Sequence, residues 1–392
     1  MVVLASIAAL LAGTGSLSAL AGWRAVRRLP ADAALEDAAC PGITVLRPLY
    51  GDEPLLEEAL LSACRQDYPR FQVVFGVQDP ADPAIEVAER VRARMPECDI
   101  AVVCDNTADG ANRKVANLTN MLAAARHDVL VIADSDIHAA PSYLRAIAAA
   151  LAEPGVGLAT TLYSGRPANG SLAAALAASG ITHGFLPGAA LARRLGRADS
   201  LGATMALRRE TLAGIGGFAA LRDELADDNI LGRLVAARGQ RIGLAATIPA
   251  TTVPEATMAA VLRHELRWAR TIRSLGSGTF ALSVIQYPIA WALLSLLLSG
   301  GARGAVAVVL AAWMARGIAA LGVDTELARR QHLRPTTARL FLLPLRDIIS
   351  VAVWLAAFAG DRVEWRGRAM RARPVGTGYG QPDKVATEGA AT

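Results

Sequence analysis

Residues 129–136 read VLVIADSD, an unbroken apolar run that ends in Asp134 and Asp136. A buried parallel strand has such an unalternated sequence, and ligands of α/β proteins bind just beyond the carboxyl ends of strands. Two carboxylates at such an edge can hold a divalent cation against a nucleotide diphosphate, because Mg²⁺ prefers oxygen ligands and phosphates. For an isolated motif of this kind, the alternative is a strand that ends in a solvated acidic turn.

Strand-like and helix-like segments alternate around this motif. The predicted strands are 43–49, 71–77, 100–104 and 129–133, and the predicted helices are 53–64, 84–95 and 112–125. We expect the first helix to begin after Asp52, with Pro54 in its first turn. This order predicts an α/β domain, Rossmann-like, with a mostly parallel sheet covered by helices on both faces.

The amino-terminal segment 2–21 is apolar and long enough to span a bilayer. Arg24, Arg27 and Arg28 follow it, whereas no Lys or Arg precedes it. A cleavable signal peptide has the opposite charge order. We therefore predict an uncleaved membrane anchor over 1–22, with the following residues cytoplasmic.

The carboxy-terminal third contains further apolar segments. Segments 280–299 and 305–323 are predicted to span the membrane, and 340–358 is interrupted by Pro344, Arg346 and Asp347. Three full spans would place the basic tail outside, against the positive-inside tendency, so 340–358 is predicted to be interfacial or re-entrant. The predicted domains are the anchor 1–22, the α/β domain 41–273, membrane segments 279–360, and a basic then flexible tail 361–392.

Composition supports a membrane protein. The 392 residues are 53% hydrophobic with a net charge of +5, and almost all the basic residues are Arg. Arg-rich basicity beside apolar segments indicates attraction to anionic lipid rather than nucleic-acid binding. The four cysteines have neither zinc-like spacing nor the density of a disulfide framework, so reduced structural thiols are expected.

Several polar residues could serve a donor substrate. Asp79 and Asp82 follow the second strand and could accept hydrogen bonds from a uracil ring or ribose, although Asp82 could equally cap the next helix. Lys114, in Asn112-Arg113-Lys114, opens a helix whose amino terminus favours phosphate. The alternative for Lys114 is a solvated surface position.

Two later segments carry further candidates. Asp227 and Asp228 precede an apolar helical run; they either cap that helix or provide a general base with a raised pKa. The segment HELRW, 264–268, is either a basic juxtamembrane helix or a site in which Arg267 binds a diphosphate and Trp268 lines an acceptor pocket.

Taken in order, these motifs resemble family-2/21 glycosyltransferases of the GT-A class. Within that class, the chain resembles ceramide glucosyltransferases and their bacterial relatives, including the hopanoid-biosynthesis-associated glycosyltransferase. The stretches that carry the resemblance are ITVLRPLYGDEPLLEEAL, QDYPRFQVVFGVQDPADPAI, NRKVANLTNML, VIADSDI, GATMALRRETL, ADDNILGRL, HELRWARTIR, PLRDIIS and EWRGRAMRAR. They extend over about residues 43–373.

The resemblance implies a role for each matching residue. Asp82 matches the first aspartate of the family, Asp134 with Asp136 the DxD motif that holds Mg²⁺ or Mn²⁺, and Asp228 the third aspartate, the base. His264, Arg267 and Trp268 occupy the (Q/R)xxRW motif, with His264 where Gln or Arg is expected. Lys114 matches a lysine that serves the donor. The implied reaction is a single inverting transfer of a hexosyl unit from a UDP-sugar to a lipid hydroxyl.

The acceptor has two candidates. The preferred hypothesis is transfer of N-acetylglucosamine from UDP-GlcNAc to a hopanoid, bacteriohopanetetrol, in a bacterial inner membrane, because the Ala- and Arg-rich composition is typical of a GC-rich bacterial genome. The alternative is a ceramide glucosyltransferase that uses UDP-glucose. A polyprenyl-phosphate glycosyltransferase is disfavoured by the HELRW segment. A non-catalytic membrane scaffold is disfavoured because the four matching aspartates are present.

Overall fold

The computed structural model describes residues 1–30, 40–330, 339–365 and 368–371. Its strands are β1 Ile43–Pro48, β2 Phe71–Val77, β3 Asp99–Cys104, β4 Val129–Ala133, β5 Ile137–His138, β6 Val156–Thr160, β7 Ser164–Pro167, β8 Thr204–Arg208, β9 Arg241–Leu244, β10 Ala250–Val253, β11 Arg362–Trp365 and β12 Arg368–Arg371. Its α-helices are α1 Val2–Arg27, α2 Leu56–Cys64, α3 Ala84–Arg94, α4 Arg113–Met121, α5 Tyr143–Ala152, α6 Leu172–Ser179, α7 Leu186–Arg194, α8 Arg209–Gly214, α9 Asp227–Ala237, α10 Met258–Leu275, α11 Ser277–Leu282, α12 Pro288–Leu298, α13 Arg303–Arg330 and α14 Leu343–Ala357. A π-helical segment, Gly180–Phe185, joins α6 to α7.

The main sheet has seven strands in the order β3-β2-β1-β4-β8-β6-β9. The first four strands in this order, β3, β2, β1 and β4, are parallel to one another. Strand β6 is parallel to β9, whereas β8 is antiparallel to both of its neighbours. In β4, Val131 packs into one hydrophobic cluster and Ile132 into another, because consecutive side chains face opposite sides of a sheet. Burial on both faces explains the unalternated apolar run and confirms the predicted fold class.

A second, smaller sheet lies beside the acidic motif. Its strand order is β5-β10-β7. Strand β5 begins at Ile137, directly after Asp136, and Thr251 of β10 is paired with Ile137. The sheet therefore places β10 against the carboxyl end of β4.

The first helix of the domain begins later than expected. The prediction that it starts after Asp52 is wrong, because α2 runs from Leu56 to Cys64 and follows Leu55 in the left-handed region, with φ of 61°. The preceding turn is closed by Leu56 N–H, which donates to the Glu53 carbonyl at 3.1 Å. Helix α4 is also shorter than predicted, since it ends at Met121.

One apolar segment differs from the prediction. Segment 280–299 is not one straight span, because Ser277–Gln286 and Pro288–Leu298 are bent by 72° at a short break before Pro288. Segment 340–358, predicted to be interfacial or re-entrant, forms the helical segment Leu340–Ala357, which is long and apolar enough to cross a membrane; its placement at the membrane stays a prediction. Arg346 and Asp347 within it are buried against other helices.

Four helical segments among the described residues are long and apolar enough to span a membrane: Val2–Arg27, Leu172–Arg194, Arg303–Arg330 and Leu340–Ala357. The segment Leu172–Arg194 was not predicted from the sequence. Helices α1, α12, α13 and α14 pack together as an apolar bundle, in which Ser295 Oγ of α12 donates to the Ala5 carbonyl of α1 at 2.8 Å. The predicted flexible tail, 376–392, lies outside the described residues.

Candidate active site

Lys114 joins two acidic segments of the chain. Its Nζ lies 2.6 Å from Asp134 Oδ1 and 3.6 Å from Asp227 Oδ2. Asn112 caps α4 through Val115 N–H and holds Lys114 in the first turn of the helix. Lys114 is only 8% exposed, so the alternative of a solvated surface lysine is wrong. A buried ammonium needs such partners, and the nearby carboxylates raise its pKa despite burial.

Asp136 is held by the small sheet. Thr251 Oγ1 donates to Asp136 Oδ2 at 2.6 Å, across 115 residues of sequence. The other carboxylate oxygen, Oδ1, is buried without a hydrogen-bond partner. Burial and then the charge of Asp134 raise the pKa of Asp136 to about 7. The protein therefore holds this carboxylate where a positive charge would stabilise its ionised form.

Asp228 lies in the first turn of α9, next to Asp227. Burial and then the charge of Asp227 raise its pKa to about 6. Its Oδ1 accepts a hydrogen bond from Asn229 N–H at 2.7 Å. The backbone of Gly202 approaches so closely that a Cβ there would lie 3.1 Å from Asp228 Oδ2. Both adjacent acids lie at the start of the helix, but only Asp227 forms an ion pair with Lys114 in the described contacts.

Arg47 forms hydrogen bonds that hold the loop of the DxD motif, and it was not predicted from the sequence. It is 1% exposed and donates to the carbonyl of Asp134, to Ala59 O at 2.9 Å and to Ile137 O at 2.7 Å. Ser135 Oγ also donates to Glu53 Oε2 at 2.5 Å. A charged residue inside a buried strand was the only signal in the sequence, because its partners are distant along the chain.

Tyr163 is a second residue that sequence reasoning missed. Burial raises the pKa of its phenol, and the charges of Asp228, Asp134 and Asp136 raise it further. Its ring lies 4.7 Å from that of Phe185, in the π-helical segment. Tyr163 thus contacts the apolar segment Leu172–Arg194 through Phe185, and its phenol is near enough to the acids for their charges to raise its pKa.

Asp79 and Asp82 lie at the end of β2, outside the contacts that link the other acids. Asp82 Oδ1 accepts from Ala84 N–H and from Gly51 N–H, both at 2.9 Å. Asp82 thus holds the turn before α3, whose N-cap is Pro83, and it also ties the loop after β1 to the loop after β2. Asp79 Oδ1 accepts from Ala81 N–H at 2.9 Å and is exposed.

His264 and Trp268 lie on one face of α10. Nδ1 of His264 contacts the carboxylate of Glu255, and its Nε2 is buried without a hydrogen-bond partner. The two rings are 4.6 Å apart in an edge-to-face arrangement. Glu255 follows β10 by two residues, so the strand that binds Asp136 also leads to the support of His264. Arg267 is half-buried on the same turn of α10.

The donor set around β4 suits a cation that is completed by its substrate. Within residues 1–30, 40–330, 339–365 and 368–371, no group of three or more His, Cys, Asp or Glu side chains has the arrangement of a metal site. Mg²⁺ is commonly bound through one or two carboxylates together with substrate phosphates and water. The carboxylates of Asp134 and Asp136, with the unpartnered Oδ1 of Asp136, fit that mode.

Nearly the whole sequence matches one family. A sequence model of glycosyl transferase family 21 matches residues 2–377. The chain belongs to glycosyl transferase family 21. The predicted resemblance and the predicted enzyme class, a glycosyltransferase, are both confirmed by this match.

Curated relatives of this family 21 glycosyltransferase include ceramide glucosyltransferases. The protein of Komagataella phaffii is 36% identical over 100 residues, which are 24% of this chain and 20% of that protein. The protein of Candida albicans is 34% identical over 116 residues, 26% of this chain and 21% of that protein. The chain thus spans about a fifth of the length of these relatives.

A solved mannosyltransferase from Pyrobaculum calidifontis, in complex with GDP-Man and Mn²⁺, also resembles the family 21 glycosyltransferase. It is 22% identical, with a TM-score of 0.48, over 91% of this chain and 98% of that one.

Proposed function

We propose that the protein is an inverting glucosyltransferase that transfers glucose from UDP-glucose to a hydroxyl of a ceramide-class membrane lipid. The observation that carries this proposal is the acidic cluster at the carboxyl edge of β4, in which Lys114 joins Asp134 to Asp227. The curated relatives support the ceramide alternative rather than the hypothesis of N-acetylglucosamine transfer to a hopanoid.

The donor diphosphate binds beside β4. Asp134 and Asp136 would hold a divalent cation, which stabilises the negative charge of the leaving diphosphate. Lys114 contributes a second positive charge at the same place, because its ammonium is already fixed 2.6 Å from Asp134. Asp79 and Asp82, at the end of β2 on the far side of β1, face the uracil and ribose of the donor.

Asp228 is the general base. It takes the proton of the lipid hydroxyl as the hydroxyl oxygen forms a bond to the anomeric carbon and the bond from that carbon to the UDP oxygen breaks. A pKa of about 6 suits this role, because the carboxylate is ionised at neutral pH and still basic enough to accept a proton. Asp227 is less suited, since its charge is paired with Lys114.

The HELRW segment closes the site. Arg267 binds the leaving diphosphate, Trp268 forms a wall of the acceptor pocket, and His264 occupies the polar first position of the motif. The packing of Trp268 against His264 supports these roles, because it holds the indole in one orientation.

The acceptor reaches the site from the bilayer. The apolar helices are those of a membrane protein, and Tyr163 links the acids to one of these helices through Phe185. We propose that the α/β domain lies on the cytoplasmic side of a bacterial inner membrane, since Arg24, Arg27 and Arg28 follow the first span.

The test combines two donors with two acceptors. Membranes that contain the protein are incubated with labelled UDP-glucose or UDP-GlcNAc, each with ceramide or bacteriohopanetetrol, and the lipid products are identified by mass spectrometry. We expect glucosylceramide, formed at least about 100-fold more slowly in membranes that contain the Asp228→Asn variant. Glycosylated bacteriohopanetetrol as the sole product would replace the proposal with the hopanoid hypothesis.

A further inference from the structure

An ion pair connects α14 to the helix that carries HELRW. Arg346 Nη1 and Nη2 donate to the two carboxylate oxygens of Glu265 at 2.6 and 2.7 Å. The Arg346 side chain is 3% exposed and that of Glu265 is 22% exposed. Two parallel hydrogen bonds of this kind fix the mutual orientation of both groups, because guanidinium and carboxylate are planar. The pair therefore sets the orientation of α10 relative to α14.

The same guanidinium also contacts the apolar segment Leu172–Arg194. Arg346 Nη1 donates to Leu176 O at 3.3 Å, just before the π-helical segment. At Gly180, the first residue of that segment, a Cβ would lie 3.3 Å from Arg346 Nη1. Arg346 thus touches α6 and α10 from its own helix, and it also donates to Ser350 Oγ at 3.1 Å within α14.

The next residue fixes the other side of α14. Asp347, 0% exposed, accepts from Ile289 N–H at the start of α12, at 3.2 Å, and pairs with Arg316 of α13 at 3.4 Å. Arg316 in turn donates to His183 O in the π-helical segment at 2.5 Å. Since Asp347 fixes α14 within the apolar bundle, Arg346 connects α10 to a rigid support.

Glu265 lies within the HELRW segment, next to the residues whose positions it can fix. It directly follows His264 and precedes Trp268 by three residues, so Glu265 and Trp268 are neighbours on the surface of α10. Glu255 holds His264 from the end of β10, and Arg346 holds Glu265 from the apolar bundle. The turn of α10 that carries the motif is therefore held both from the small sheet, through Glu255, and from the apolar helices, through Arg346.

We propose that Arg346 and Glu265 are positioning residues, which fix α10 so that Arg267 and Trp268 meet the donor diphosphate and the lipid at the correct distance. Stability alone is a weak explanation for the pair, because a well-packed apolar pair in its place is often equally stable. An effect on the reaction rate distinguishes a positioning role from a purely stabilising one, since displacement of a catalytic group by about 1 Å can lower a rate about 100-fold. The kinetic part of this inference rests on the proposed transfer reaction.

The experiment uses the full chain in lipid nanodiscs. Glu265→Gln and Arg346→Lys keep the size of each side chain but remove, respectively, the charge and the planar fork. We expect kcat for glucosylceramide formation to fall about 100-fold in each, with KM for UDP-glucose changed less than about threefold. The matched control is Arg126→Gln, which removes an exposed ion pair with Asp99 at the opposite end of the strands and should leave kcat unchanged.

Hydrogen–deuterium exchange supplies a readout that needs no substrate. We expect faster exchange over 258–275 in both Glu265→Gln and Arg346→Lys, and wild-type exchange in the strands of the main sheet. Wild-type kcat together with wild-type exchange in α10 would overturn the inference. The wild type could also bind UDP and yet glucosylate no ceramide, which would reject the proposed acceptor. Faster exchange in α10 of the two variants would still support the positioning role in that case.

Discussion

The ionised forms of Asp136 and Asp228 are destabilised in the folded protein. Burial contributes most to the raised pKa of each carboxyl group, and a neighbouring aspartate adds to it. Such groups bind protons more tightly in the folded chain than in the unfolded chain, so the stability they contribute is lost as pH rises through their folded pKa. The positive charge of a divalent cation bound beside these carboxylates would favour their ionised forms.

Replacing Asp136 with Asn should therefore stabilise the ligand-free protein. The gain should be larger at pH 8 than at pH 5, because Asp136, with a pKa of about 7, is already protonated in the folded protein at pH 5. Thermal unfolding of the purified protein at both pH values measures this. Addition of UDP with Mn²⁺ should raise the Tm of the wild type and not that of the variant. An equal gain at both pH values would contradict the assigned cause.

The activity of the wild type should decline as pH falls through about 6, since Asp228 must be ionised to accept a proton. Asp228→Asn should lower kcat by about 10² to 10⁴-fold and leave the affinity for UDP largely unchanged. The control, Asp227→Asn, removes the neighbouring charge, so the acid limb of its pH profile should move to lower pH. Normal turnover by Asp228→Asn would exclude it as the base.

At the scale of elements, the start of α2 depends on a contact between loops and differs from the start that local sequence preferences predict. Asp52 and Pro54 are suitable residues for the start of a helix, yet the helix begins at Leu56. Glu53 instead accepts a hydrogen bond from Ser135, between the two acids of the DxD motif. The left-handed conformation of Leu55 is consistent with that tie, because it redirects the chain from the loop into α2.

Substitutions at Leu55 test this strained start. A left-handed conformation costs about 1–2 kcal/mol for an ordinary residue, and less for Asn. We expect Leu55→Asn to retain or raise the free energy of unfolding and Leu55→Val to lower it by about 1 kcal/mol or more, since β-branched residues are the least tolerant of positive φ. Urea unfolding of both variants would reveal the difference; an unchanged Leu55→Val protein would contradict the account.

At the scale of the whole molecule, the amino-terminal helix, predicted to be a membrane anchor, packs closely against other helices. A Cβ at Gly15 would lie 2.3 Å from Ile285 O, and one at Gly22 would lie 2.8 Å from Pro187 O. Small residues of this kind allow two helix backbones to approach closely in a membrane. Helix α1 thereby contacts the bent pair and the apolar segment that carries Phe185.

Enlarging the close-contact face of α1 should loosen this assembly. Gly15→Leu must displace the backbone near Ile285, so we expect a lower Tm in detergent and a lower rate of lipid glycosylation. Gly13→Leu is the matched control in the same helix, because a Cβ there meets nothing within 4 Å. Equal Tm values for the two variants would show that α1 serves only as an anchor.

The strands of the main sheet could be predicted from the sequence, whereas contacts between the helices could not. Strands β1 to β4 were predicted to within about one residue at each end, because their apolar runs reflect burial on both faces, a property of neighbouring residues. The bend before Pro288 and the burial of Arg346 were not predicted. Both depend on which helices are neighbours, and nearby sequence does not determine that.

The sequence by itself determined the α/β class, the apolar segments at the two ends of the chain and the order of the motifs, since each depends on local periodicity or on residues close together in the chain. The tertiary structure alone decided that Lys114 joins Asp134 to Asp227, that Thr251 binds Asp136 and that Arg346 holds Glu265. These partners are separated by up to 115 residues, and their contacts exist only once the sheet and the bundle have brought distant segments together.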